Sequence, residues 1–329
     1  MKGNGSAVEA SYAFCRRIAR RSGSNFYPCF LRLRREKRRG MDALYAFMRH
    51  TDDLGDSSDP LDSRQRALGH WRESFQEALR GEGVPINHPL MPALADTVRR
   101  FQIPPNRLCD VIDGVEMDLQ GRQYETFEEL TEYCRRVASS VGIACLHVWG
   151  FRGEGAFQPA DKCGLAFQLT NILRDLKEDA KQGRVYLPLA DFREAGYAPS
   201  ELAEGVADER FLRLVQRQLD RADGLYREAA ELFDWLEGDG RRVFGMMASV
   251  YHAIFSEIRR RPTAVGVDQD PGLGRDGHRP PVAGPVCLWR RARQDLQCHP
   301  PIGPSARRAT FRERAARRPR PLPHLYQGR

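Results

Sequence analysis

Asp52, Asp53 and Asp56 in HTDDLGD, and Asp175 and Asp179 in QLTNILRDLKED, are the residues of this chain best suited to chemistry. Each group continues a helical pattern and sets two carboxylates four residues apart, so both members of a pair leave the same helix face. In the first segment Met41, Tyr45, Met48, Asp52 and Asp56 form one stripe, so the acids extend a face that otherwise carries large apolar groups. Carboxylates pointing inward are costly unless cations or donors satisfy them. In the second segment Gly164, Gln168, Asn171, Asp175 and Asp179 repeat that spacing, on a face distinct from an apolar stripe of Leu165, Leu169, Ile172 and Leu176. A row of oxygen ligands suits a hard divalent cation, Mg²⁺ first, which keeps waters and takes substrate phosphates. Arg49, Arg174, Lys177 and Arg184 lie close in sequence and supply cations for a leaving diphosphate. One cluster alone fits a solvated helix end; two with the same inward geometry point to a site that handles diphosphates.

The elements that must position these residues read as helices almost throughout. Apolar residues at spacings of three and four predict helices over 6–20, 36–54, 62–80, 90–101, 105–120, 126–150, 159–181, 208–237 and 240–260. Breakers separate them: SSDP at 57–60, the prolines at 85, 89, 104 and 105, and glycines near 153 and 238. Thr126 followed by Glu129 predicts a capping box. No stretch alternates long enough to argue for a sheet, and no solenoid repeat is present. The expected architecture is an all-α bundle with a central cavity.

Composition divides the chain in two. Of 52 basic and 44 acidic residues, positions 263–329 hold 13 Arg, no Lys and five acids, which leaves 39 of each sign in residues 1–262. The body is neutral, so a nucleic-acid role built on the basic pI would rest on the wrong segment. We therefore expect residues 1–262 to be the catalytic domain. Residues 263–329 form a Pro/Arg/Gly-rich tail with 10 of the 21 prolines and no apolar period, expected to be disordered. The sharper reading of the tail is a shifted reading frame at the end of a GC-rich gene, since the helical pattern of Val243–Arg261 stops in mid-course. Eight cysteines without a CxxC pair read as reduced, mostly buried thiols of a cytosolic protein. The longest apolar run, Val141–Phe151, is too short to span a bilayer, which leaves peripheral membrane contact at most.

YAFMRHTDDLGD and QLTNILRDLKEDAKQGRVYLP resemble the two signature regions of the squalene/phytoene synthase family, the head-to-head prenyl synthases of the isoprenoid-synthase fold. NFY (25–27), TEYCRRVASSVG (131–142) and GMMASVYHAIFSEI (245–258) extend the resemblance from about Phe14 to Arg261. It implies an isoprenoid-synthase helical bundle in which Asp52, Asp56, Asn171, Asp175 and Asp179 hold Mg²⁺ (Mn²⁺ as a substitute) and diphosphate. It places Tyr45, Arg49, Gln168 and Arg174 beside the diphosphates, and Tyr133 and Tyr251 in the reaction cavity. Phe26, Tyr27, Phe47 and Phe167 are further candidates for an aromatic wall that stabilises cations and excludes water.

The implied reaction joins two prenyl diphosphates. Two farnesyl diphosphates giving presqualene diphosphate or a squalene-type C30 product are expected first, and phytoene from geranylgeranyl diphosphate second. No Gly-rich dinucleotide fingerprint is present, so NADPH is not expected. Pathway enzymes are the candidate protein partners. An inactive member of the family serving as a scaffold is the alternative of another class, and a basic-tail nucleic-acid or membrane binder is the weakest. The chain departs from the family at Arg34, where a proline is usual. It also departs after residue 262, where a short segment ending in basic residues is usual.

Overall fold

The helical periodicity becomes fourteen α-helices among the described residues of a computed structural model, which are 3–22, 26–81 and 88–265. The expected disordered or frameshifted tail lies outside them from residue 266 on, as do Cys287 and Cys298, while its first residues belong to a 3-10 turn, Pro262–Val265. The long helices are α1 (Gly3–Arg21), α3 (Arg35–Gly55), α4 (Leu61–Arg80), α5 (Met91–Arg100), α6 (Pro105–Leu119), α8 (Ser140–Trp149), α9 (Phe157–Lys181), α12 (Glu209–Ala229) and α14 (Gly238–Arg260). Shorter ones are α2 (Tyr27–Phe30), α7 (Phe127–Cys134), α10 (Leu189–Ala195), α11 (Pro199–Glu204) and α13 (Leu232–Trp235). Pairing between strands is limited, among these residues, to one bridge between Phe151 and Leu236.

Two of the expected helices are interrupted. The span 126–150 is α7 and α8 joined by a π-helical turn, Arg135–Ser139, and the span 208–237 breaks after Ala229 before the short α13. The capping box at Thr126 is shifted by one residue. Its hydroxyl accepts from Glu129 N–H at 3.3 Å, but the Glu129 carboxylate accepts from Glu125 N–H, not from Thr126 itself.

The core falls into two apolar groups. One gathers α1, α3, α5 and α8 around Phe30, Phe47 and Phe75; the other gathers α7, α9 and α12 around Leu169, Phe211 and Phe255. Helix α8 lies against both α3 and α9, and so joins the two helices that carry the aspartates. The six cysteines among the described residues are free thiols, all buried except the half-buried Cys109. No helix of the described residues is long and apolar enough to cross a membrane.

Arg34 has a physical consequence. Its φ of −56° would suit proline, yet its N–H donates to the Asp239 carboxylate at 2.9 Å. The same carboxylate takes Lys37 Nζ at 2.8 Å, and Lys37 also reaches Trp149 C=O at 2.6 Å. This latch ties the start of α3 to the start of α14, whose Gly240 lies so close to Trp149 that a Cβ would sit 2.5 Å from its carbonyl oxygen.

Candidate active site

Both aspartate clusters occupy the C-terminal turns of long helices, where the helix dipole already favours a cation and disfavours a carboxylate. On α3, Asp52 is 2 % exposed, and Asp56 caps the helix by donating its N–H to Asp52 C=O at 2.8 Å. Asp53 points away: its side chain is 52 % exposed and pairs with Arg49 at 2.5 Å. Arg49 is thus engaged with the outward acid of its own helix. Tyr45, two turns earlier, is buried and meets Phe30 edge-on at 6.5 Å.

On α9, Gln168, Asn171 and Asp179 are buried. Arg174 grips the neighbouring Asp175 through two bonds, of 3.0 and 2.6 Å. Burial pushes Asp179 well above the usual carboxylate range, and the charges of Asp175, Asp118 and Glu178 add to it, while Arg184 opposes them. The first residue of the polar stripe carries no side-chain oxygen and has a separate reason to be there. Gly164 is not a ligand position but a close approach, since a Cβ there would lie 2.5 Å from Ser139 Cα in the π-helical turn.

Arg184, in the loop after α9, joins the clusters. Its guanidinium lies 3.7 Å from Asp56, and Asp118, Asp56 and Asp179 all act on it electrostatically. Asp118, near the end of α6, is a site residue that the motifs do not name. Burial raises it to about 6 against the pull of Arg184 and of two tyrosine hydroxyls. Tyr133 donates to one of its oxygens and Tyr186 to the other, each at 3.0 Å. A usable signal existed: Leu108, Val111 and Val115 make a buried helical stripe that leads to an acid, Asp118, as Met41, Tyr45 and Met48 lead to Asp52.

The aromatic candidates separate. Phe26 stacks on Tyr251 with ring centres 5.4 Å apart, and Tyr251 stacks on Phe167 at 3.8 Å. This three-ring pile borders the ligand stripe, because the Tyr251 hydroxyl feels the Asn171 amide and the charges of Arg174 and Asp175. Tyr133 belongs to a second group, with Tyr186 and Tyr124 each 5.4 Å away. Phe47 instead packs on Trp71 and Phe75 as ordinary core, and Tyr27 meets Phe30 edge-on.

The donor set fits a metal shared with substrate. Gln168 Oε1 and Asn171 Oδ1 are buried oxygens without a hydrogen-bond donor, although the Asn171 amide nitrogen is held by Phe167 C=O at 2.7 Å. Among the described residues no three His, Cys, Asp or Glu side chains converge as a ready metal centre. Mg²⁺ commonly takes one or two carboxylates and completes its shell with water and phosphate oxygens. A cavity of about 360 Å³ opens elsewhere, between α6 and α7; Asp113, Glu116, Met117 and Arg136 are among its lining, and none of the aspartates above is.

The squalene/phytoene synthase family model matches residues 19–282. The chain belongs to the squalene/phytoene synthase family. It is therefore a prenyltransferase of the head-to-head type. Among curated relatives, the phytoene synthase of Arthrospira platensis is 35 % identical over 266 residues, which cover 76 % of this chain and 84 % of the relative. The 15-cis-phytoene synthase of Synechocystis is 34 % identical and covers 77 % of each. Among solved structures, squalene synthase HpnC from Alicyclobacillus acidocaldarius superposes with a TM-score of 0.72 at 28 % identity, over 77 % of this chain and 95 % of that one. A dehydrosqualene synthase solved with a ligand gives the same TM-score at 29 % identity, over 90 % of this chain and all of that one. These family members share the isoprenoid-synthase helical fold.

Proposed function

We propose that the chain condenses two identical prenyl diphosphates head to head, with residues 1–262 as its catalytic domain. The observation that carries this reading is the meeting of two helix C-termini, each bearing buried oxygen ligands, around Arg184, beside the pile of Phe26, Tyr251 and Phe167. Asp52 and Asp56 on one side, and Asn171, Asp175 and Asp179 on the other, would hold Mg²⁺ or Mn²⁺ with the two diphosphates. The metal, when bound, neutralises a diphosphate and makes it a better leaving group. Gln168 turns an unsatisfied oxygen into the site and orients the hydrated assembly. Arg49, Arg174 and Arg184 are each engaged by an aspartate and supply guanidinium forks that phosphate oxygens can share. Tyr45, Phe26, Phe167 and Tyr251 exclude water and present ring faces to the allylic cation left by ionisation. Attack by the double bond of the second chain on that cation, with loss of a proton to the released diphosphate as the ring closes, then gives a cyclopropylcarbinyl diphosphate.

Two chain lengths each have an observation in support. Farnesyl diphosphate, with a C30 product, is favoured by the close superposition on squalene and dehydrosqualene synthases. Geranylgeranyl diphosphate, with phytoene, is favoured by curated relatives at 34–35 % identity that carry that name. The deciding experiment incubates the full chain with Mg²⁺ and each diphosphate in turn, without NADPH, and identifies the lipid. A C30 product supports the first and a C40 product the second. No product from a folded sample that still binds a diphosphate analogue only with Mg²⁺ would leave a non-catalytic scaffold.

A further inference from the structure

Asp118 spends both of its oxygens on phenols from two different elements: Tyr133 of α7 and Tyr186 of the loop that also carries Arg184. A phenol owns one hydrogen. Once that hydrogen is committed to Asp118, every other direction around the oxygen offers lone pairs only. Tyr133 and Tyr186, stacked with ring planes 21° apart and close enough for one hydroxyl to act on the other, therefore present only acceptor lone pairs to any further neighbour. Acceptor oxygens repel a diphosphate and attract a cation. The reaction needs help with both charges, and the arrangement separates the tasks: the aspartate helices and arginines take the diphosphates, the oriented phenols take positive charge.

Resting on the head-to-head reading above, we propose that Asp118 is a positioning residue for the condensation: it fixes Tyr133 and Tyr186 as acceptors toward the cationic intermediates and holds the Arg184–Tyr186 loop between the two aspartate helices. It touches neither diphosphate. Asp118→Asn keeps the shape but makes one of the two oxygens an NH₂ donor, which forces at least one phenol to turn its hydrogen outward.

The test uses the full chain with Mg²⁺ and whichever prenyl diphosphate the wild type converts. Asp118→Asn should lower kcat by roughly 10–100-fold, the usual cost of losing an outer supporting partner, with KM changed by less than about threefold. In a Tyr133→Phe/Tyr186→Phe background the same substitution should cost less than about twofold more, since Asp118 then has no phenol to orient. An undiminished effect in that background, or a change confined to KM, overturns the proposal. If Asp118→Asn does not fold, Tyr133→Phe and Tyr186→Phe carry the test: a fall in kcat at constant KM supports it, and a rise in KM alone overturns it.

A second readout is independent of turnover. Amide exchange over 183–188 should rise at least about tenfold in Asp118→Asn as the loop loses its hold; unchanged protection overturns that part. A wild type that forms no product would sink the head-to-head reading itself and still leave the exchange measurement to judge the hold on the loop.

Discussion

The two aspartate helices solve one problem in different surroundings. The end of α3 is divided: Asp52 faces in, Asp53 faces out to Arg49, and Asp56 leans on Arg184. The end of α9 is committed inward, with Gln168, Asn171 and Asp179 buried and Asp175 braced by its neighbour Arg174. In both, a helix terminus that the dipole makes hostile to acids carries them nonetheless. A fold gains no stability from such placements. They become favourable when a cation arrives, and the difference between the helices lies in how much of that repulsion is relieved beforehand by arginine.

The sharpest way to break the symmetry is to remove an inward acid from either helix. Asp175→Ala or Asp52→Ala should each lower product formation by about 10²–10³-fold, the scale of losing one preorganised charge-stabilising group. Chelating the divalent ion should abolish it in both variants and the wild type. A variant that keeps most of its activity would show that its helix is not a ligand helix. Next comes the bridge. Arg184→Gln should cost about 10–100-fold and make the chain need a different Mg²⁺ concentration, read as a shifted metal titration; an unshifted titration would confine Arg184 to structure.

Asp42 provides a control from the same helix as Asp52, buried but with no ligand stripe around it. Its Oδ1 finds no hydrogen-bond donor, and burial pushes it up to about 7 although Arg16 and Arg38 pull it down. A folded pKa above the unfolded one means stability is fullest below about 4 and is lost as pH rises through about 7. Asp42→Asn should flatten that slope and gain on the order of 1–4 kcal/mol at pH 8, as measured by denaturant unfolding at pH 5 and 8. An unchanged slope would mean that the carboxyl finds solvent. Smallest is the outward acid: Asp53→Ala should change turnover less than about threefold, because an exposed ion pair contributes only about 0.2–1 kcal/mol. A large loss would move Asp53 into the ligand set.

Much of this site was legible because helical spacing converts sequence into direction. Asp52 and Asp56 could be assigned to an inward face because they extend an apolar stripe, and Asn171, Asp175 and Asp179 because they repeat its spacing as a row of oxygen ligands. Gly164 obeyed the same rhythm for a reason the sequence does not print, the close approach of Ser139. The π-helical turn at Arg135–Ser139 was invisible: one extra residue in a turn leaves no mark on which residue types are apolar. Asp118 ends an apolar stripe that could have marked it, but it stands near Asp113 and Glu116 on an amphipathic helix, and what sets it apart from them is tertiary, the phenols that reach it from α7 and the loop after α9. The short α10 and α11 have too few turns to show a period.

The latch from Arg34 and Lys37 to Asp239 also sets an order of events during synthesis. Its partners are 205 positions apart, and the Phe26–Tyr251 stack spans a similar length of chain. At about 5–20 residues per second on the ribosome, the first aspartate helix waits on the order of ten seconds or more for the segment that completes its aromatic wall. Through that interval Phe26 and the apolar face of α3 lack their final cover, and closing so long a loop is a slow step. The pile of Phe26, Tyr251 and Phe167 is thus among the last parts of the molecule to close.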